Sequence, residues 1–137
     1  MDDYGSVWLA LYDTPHRLDW VDADTVRTRV LTAGDAANPP LILLHGTAGS
    51  LENFSRNIPA LARHFHVLAF DLLGCGLTDK PAFDYAITDY ADHVAATMQA
   101  LGIDRAAFIG VSLGAWVAAR LAHDRPDTVE RLVLVAP

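Results

Sequence analysis

A chain of 137 residues with 52% hydrophobic and 20% charged content carries enough apolar surface for one domain with its own core, and too much for a disordered segment. Its 10 Lys and Arg against 17 Asp and Glu leave a net charge of −7, which argues against a basic face for nucleic acid. The only cysteine, Cys75, can form no internal disulfide, so a reducing, cytoplasmic setting is expected.

The chain opens Met1-Asp2-Asp3, whereas a secretory leader opens with positive charge, and the apolar stretch 7–12 is too short to span a bilayer. No membrane association is expected, and the stretch reads as a short packing helix or arm. Asn53-Phe54-Ser55 matches a glycosylation sequon that lies idle without a secretion signal.

Residues 18–21 and 26–31 form an antiparallel hairpin around the turn cluster Asp22-Ala23-Asp24. Thr25, Arg27 and Arg29 alternate with Val26, Thr28 and Val30, which predicts an edge position with one wet face. Residues 34–40 are a turn-rich connector. The run Leu41-Ile42-Leu43-Leu44 is a central buried strand and ends in the small-residue loop His45-Gly46-Thr47-Ala48-Gly49-Ser50. Over 51–64 the spacing of Phe54, Ile58, Leu61 and Phe65 predicts a helix broken or restarted at Pro59.

The next strand covers 66–70 and leads into Asp71-Leu72-Leu73-Gly74-Cys75-Gly76. After an irregular stretch at 81–85, Thr88 is placed as N-cap of a helix with its face at Tyr90, Ala91, Val94, Met98 and Leu101, closed by Gly102. A strand at 106–111 is followed by a helix whose face is Leu113, Trp116, Val117 and Leu121, and 131–137 is a last buried strand. Strands alternating with helices predict an α/β fold: a mostly parallel sheet with helices on both faces. The loops after Leu44, Phe70 and Val111 then share one rim, the C-terminal strand edge where such sheets bind ligands.

The stretch Gly110-Val111-Ser112-Leu113-Gly114 falls between the fifth strand and its helix, the order of a nucleophile elbow. A strand turning directly into a helix holds Ser112 in a strained backbone, and Gly110 and Gly114 let the two elements approach. The hydroxyl is lifted above the sheet, with the first amides of the helix, Leu113 foremost, facing what it attacks.

With Ser112 in this elbow, His45-Gly46 after an earlier strand and Asp71-x-x-Gly74-x-Gly76 after the strand between them, the chain resembles the α/β-hydrolase superfamily over roughly residues 18–137. The resemblance implies an N-terminal part of a single α/β-hydrolase domain, truncated after the sixth strand. It also implies a serine hydrolase that works without cofactor or metal on a small-molecule carbonyl substrate. It makes Ser112 the nucleophile and the backbone N–H groups of Thr47 and Leu113 the oxyanion hole. His45, Gly46, Asp71, Gly110 and Gly114 become loop-shaping residues.

Residues 53–58 and 71–80 look like the meta-cleavage product hydrolases, which cleave carbon–carbon bonds in ring-fission products. Two departures stand out: the loop after His45-Gly46 is the short Thr47-Ala48-Gly49 where that group has a longer Gly-Pro-Gly loop, and Val111 stands where the group has Asn. By the same likeness Asn53 contacts substrate, and by its own chemistry it is equally an N-cap. A dehalogenase is disfavoured, since its nucleophile would be Asp at position 112.

A serine hydroxyl needs a base within hydrogen-bond reach and a third group to orient that base. Superfamily order places the acid and then the histidine after the serine. Only His123 follows Ser112, toward the far end of the helix, and Asp124, Asp127 and Glu130 lie in the return loop at the opposite end of the sheet. The base and its acid partner are therefore expected beyond Pro137, and the fragment is expected to be nearly inactive. The alternative is a non-catalytic binder built on the same fold. His64 and His66 are too few for a metal site and read as core or surface residues, and no group near Cys75 lowers its pKa.

Overall fold

The computed structural model describes residues 5–137; the Met1-Asp2-Asp3 opening lies outside them. Among the described residues no helix is long and apolar enough to cross a membrane. A 3-10 turn at Val7–Leu11 packs Leu11 into the core. It precedes the strands β1 (His16–Ala23), β2 (Val26–Ala33), β3 (Pro40–Leu44), β4 (His66–Phe70), β5 (Ala106–Val111) and β6 (Val129–Val135). These form one sheet in the order β1-β2-β4-β3-β5-β6. β1 pairs antiparallel with β2, and β2 with β4, while β3, β4, β5 and β6 run parallel.

Successive side chains of a strand point to opposite faces, so the apolar run of β3 feeds two cores. Ile42 and Leu44 join Val30, Leu68, Phe70 and Phe108 under the helices α2 (Ile87–Ala100) and α3 (Leu113–Asp124). Leu41 and Leu43 join Leu31, Val67 and Ala69 on the other face, covered by Leu11, Leu51, Phe54 and Ile58. Each fully buried Leu or Phe stabilises the fold by about 1.5–3 kcal/mol, so the two clusters hold the sheet from both sides.

Several sequence expectations need correction. The hairpin turn is tighter than Asp22-Ala23-Asp24: both strands extend until Ala23 pairs with Val26, and Asp24 takes the left-handed backbone, φ 57°. The 51–64 segment is a 3-10 turn, Leu51–Phe54, and one turn of helix, α1 (Ile58–Leu61). It breaks before Pro59, which sits in the first turn of α1, where its missing N–H is not needed. The cap of α2 is Ala86 rather than Thr88, and the carboxylate of Asp89 accepts from the Ala86 amide at 2.7 Å. Trp116 is 61% exposed, because α3 meets the sheet through Gly114, Ala115, Val117, Ala118 and Leu121. β6 is an edge strand with Val133, Leu134 and Val135 exposed, not a buried one.

Candidate active site

The chain leaves β3 toward β4 on one side and returns to β5 on the other. That reversal opens a crevice at the C-terminal ends of the parallel strands, where open α/β sheets bind ligands. The three loops singled out from the sequence start at this rim.

Ser112 joins β5 to α3 with φ 50° and ψ −114°, a left-handed conformation that a non-glycine residue holds only against about 1–3 kcal/mol of strain. Three contacts fix it. Its amide donates to Val135 O at 2.8 Å, and its carbonyl accepts from the Ala115 and Trp116 amides at 2.9 and 3.2 Å. Serine at a helix N-terminus usually caps the helix with its hydroxyl, but here the twisted backbone keeps Oγ out of the cap. The residue is exposed at the rim.

Glycine on either side makes the bend possible. A Cβ on Gly110 would collide with the Gly114 backbone, and one on Gly114 would overlap the carbonyls of Leu44 and His45. The first turn of α3 is therefore pressed against the start of the 45–50 loop. Helix geometry gives the Leu113 amide, at the first position of α3, no intrahelical acceptor.

The 45–50 loop reaches Ser112 through Gly46, whose missing side chain would stand 3.3 Å from Ser112 Cβ. Gly49 N–H closes a turn on Gly46 O at 3.0 Å, with Ala48 at φ 54° and Thr47 exposed at its tip. His45 is fully buried, with Nδ1 donating to Gly46 O at 2.8 Å and Nε2 accepting from the Leu72 amide at 3.0 Å. Both nitrogens are thus engaged only when the ring is neutral. Burial lowers the pKa of His45, and the Gly46 carbonyl offsets only part of that effect.

Asp71, also fully buried, binds its surroundings with both oxygens. Oδ1 accepts from the Leu51 amide and Oδ2 from the Leu77 amide, each at 2.8 Å. Gly76, at φ 52°, lies against the carboxylate where no side chain fits. Asn53 is not an N-cap: Ser50 caps the 3-10 turn, and the Asn53 side-chain carbonyl oxygen reaches back from the third position to accept from the Ser50 amide at 3.0 Å. Cys75 is half-buried with its thiol against the Ala48 amide; burial and then Asp71 push its pKa up, so it is a poor thiolate.

Arg29 was missed. Its alternation within β2 reads as a solvent face, yet its side chain is 11% exposed and lies under the rim. Nε donates to Asp71 at 2.8 Å, and Nη1 and Nη2 donate to the two Glu52 oxygens at 2.7 Å each. Burial alone would push Glu52 up, but hydrogen bonds from Arg29 and Ser50 bring it below the usual carboxylate range. Nothing in the local pattern marks Arg29, because its partners stand 42 and 23 positions away.

No base accompanies the serine among the described residues. His45 is held by its own loop, His93 by Thr28 in the core, and His16 by Thr14 at the other end of the molecule. His123 is close to the far end of α3, about 16 Å along the axis from Ser112. No group of three His, Cys, Asp or Glu that could hold a metal ion occurs among the described residues.

The chain is 38% identical over 109 residues to a soluble epoxide hydrolase of Corynebacterium, covering 80% of this chain and 37% of that protein. Among solved structures it resembles 2-hydroxy-6-oxo-6-phenylhexa-2,4-dienoate hydrolase from Rhodococcus, at TM-score 0.81 and 26% identity, over 88% of this chain and 46% of that one. It also resembles a variant of the meta-cleavage product hydrolase CumD, at TM-score 0.79 and 31% identity, over 83% and 43% of the two chains. The chain spans between 29% and 38% of the first curated relatives it matches. With the family model for the alpha/beta hydrolase fold matching residues 39–137, and with its six-stranded sheet, this chain belongs to the α/β-hydrolase family.

Proposed function

We propose that the protein carrying this chain is a cofactor-free serine hydrolase that cleaves a small carbonyl substrate through an acyl-enzyme. The observation that supports it is Ser112 itself: exposed, strained, uncapped, and flanked by the Gly46 loop and the first amide of α3. Ser112 Oγ attacks the carbonyl carbon, its proton passes to a base, and the amides of Leu113 and Thr47 hold the oxyanion. The leaving group departs with that proton, and water then hydrolyses the acyl-serine. The base and its orienting acid are assigned to residues outside these 137, because none reaches Ser112 here and the matched relatives are more than twice as long. Each oxyanion donor is expected to supply about 3 kcal/mol of transition-state stabilisation.

The substrate is an ester or, by likeness to the two carbon–carbon bond hydrolases, a 2-hydroxy-6-oxo-dienoate. Val111 supplies no amide beside the serine for such a dienoate. A cytoplasmic setting fits the single, half-buried cysteine. Labelling of the full-length protein with a fluorophosphonate, lost in Ser112→Ala, is the expected result. Failure to label a folded protein that binds small ligands tightly would instead make it a non-catalytic binder.

A further inference from the structure

We propose that Arg29 is a positioning residue for the oxyanion loop, acting through Asp71 and Glu52. This rests on the hydrolase reading above for its catalytic consequence, though not for its geometry. The 46–50 loop is tied down at both ends. At its start, His45 links Gly46 O to the Leu72 amide. At its end, the Leu51 amide donates to Asp71 Oδ1 and the next residue, Glu52, is gripped by both terminal nitrogens of Arg29.

Arg29 also donates to both Asp71 oxygens, Nε to Oδ2 at 2.8 Å and Nη2 to Oδ1 at 3.2 Å. One guanidinium therefore holds the Glu52 carboxylate, from the 3-10 turn after β3, and the Asp71 carboxylate, just past β4. The backbone of β2 is locked to the same place, with the Arg29 amide donating to Thr78 Oγ1 and the Asp71 amide to Arg29 O. Thr78 Oγ1 in turn donates to Asp71 O at 2.9 Å.

The planar fork of arginine makes this bridge; a lysine ammonium offers no equivalent set of coplanar donors. Without it, the buried Asp71 and the partly buried Glu52 become two carboxylates with no cation between them, and the end of the loop is released. The Thr47 amide then meets the oxyanion at a poorer distance. A donor that acts on the transition state changes kcat while leaving ground-state binding, and hence KM, nearly untouched.

The test uses the full-length protein with p-nitrophenyl acetate as the probe and the variants Arg29→Gln, Arg29→Lys and Glu52→Gln. Arg29→Gln is expected to lower kcat by about tenfold or more, short of the roughly hundredfold of a deleted donor, with KM within about twofold. Arg29→Lys should recover only part of the loss. Glu52→Gln, which leaves Asp71 paired with Arg29, should fold normally and lose severalfold in kcat, so it carries the test if Arg29→Gln does not fold. Amide hydrogen exchange over 46–51 should quicken in the folded variants relative to β3.

Unchanged kcat together with unchanged exchange in folded variants overturns the proposal, as does a rise in KM alone. If the wild type neither turns over the probe nor reacts with a fluorophosphonate, the hydrolase reading falls. The exchange measurement then decides by itself whether Arg29 holds the loop.

Discussion

Gly46 and Ser112 touch across the rim: a methyl on Gly46 would stand 3.3 Å from the serine Cβ and 4.0 Å from its Oγ. Gly114 touches the same loop from below, but there a methyl would overlap the backbone oxygens of Leu44 and His45. The two glycines should therefore fail differently when replaced. Gly46→Ala needs its neighbours to yield by a few tenths of an ångström, so the fold should survive with the thermal midpoint nearly unchanged. The added methyl beside Oγ should cut fluorophosphonate labelling. An undiminished labelling rate in the folded variant would show that Gly46 does not border the reacting atom.

In Gly114→Ala, helix propensity alone would stabilise by about 1 kcal/mol. Overlap with backbone, which cannot turn aside, should instead destabilise by roughly 1–3 kcal/mol or more. A drop in the urea midpoint checks the sign. A rise would mean that α3 stands further from β3 than the structure places it.

What the sequence made legible follows from range. Strands β3 and β5, and β4 after its first residue His66, are unbroken apolar runs, and the elbow is a local motif whose strain depends on three adjacent elements, so each could be read within a short window. Arg29 could not, since a polar residue alternating with Val30 looks the same whether it faces water or a carboxylate 42 positions on. Trp116 was misplaced for a related reason. Period alone put it on the helix face, but close packing of α3 on the sheet selects small residues at the contact and turns the largest one outward. β6 is apolar from Leu132 to Val135, as a doubly covered strand would be, yet only β5 pairs with it.

His45 donates and accepts at once, which only a neutral imidazole can do. His45→Phe keeps a flat ring but strands the Leu72 amide, at about 1–3 kcal/mol, while the Gly46 carbonyl keeps only its bond from the Gly49 amide. The expected outcome is a lowered urea midpoint together with faster hydrogen exchange at the Leu72 amide. A variant as stable as the wild type would remove His45 as the link between the two loops.

His93 should leave a mark on acid stability. It lies buried on α2 with Nε2 2.8 Å from Thr28 Oγ1, its ring edge-on to Phe70 and Nδ1 without a partner. The Thr28 hydroxyl is also 3.3 Å from Val26 O, so the consistent arrangement has Nε2–H donating to Thr28 and the hydroxyl donating onward. Burial lowers the folded pKa to about 4 from 6.5. Between those values the unfolded chain binds the extra proton, so stability rises with pH through this window. The His93 share of the loss begins as pH falls below 6.5 and is complete near 4, amounting to about 3 kcal/mol at most. Carboxylate partners such as Glu52, with a depressed pKa, lose their contribution lower, as pH falls from 4.5. Urea unfolding of wild type and His93→Gln from pH 4.5 to 7 separates the two: the variant should be markedly flatter. Parallel curves would show that His93 does not titrate as a buried neutral group.

β6 presents an open edge, and Val133 and Val135 stand 53% and 45% exposed on the face that also carries Ile109 and Val111. An unpaired apolar edge strand is a template for pairing with another chain. The 137-residue chain by itself should therefore self-associate at micromolar concentration, seen as early elution and strong light scattering. Val133→Lys with Val135→Lys places two charges on that face without touching the β5 ladder, whose bonds are all backbone, and should shift the chain toward monomer. Monodisperse wild-type chain at tens of micromolar would mean that this edge is protected by some feature other than its side chains.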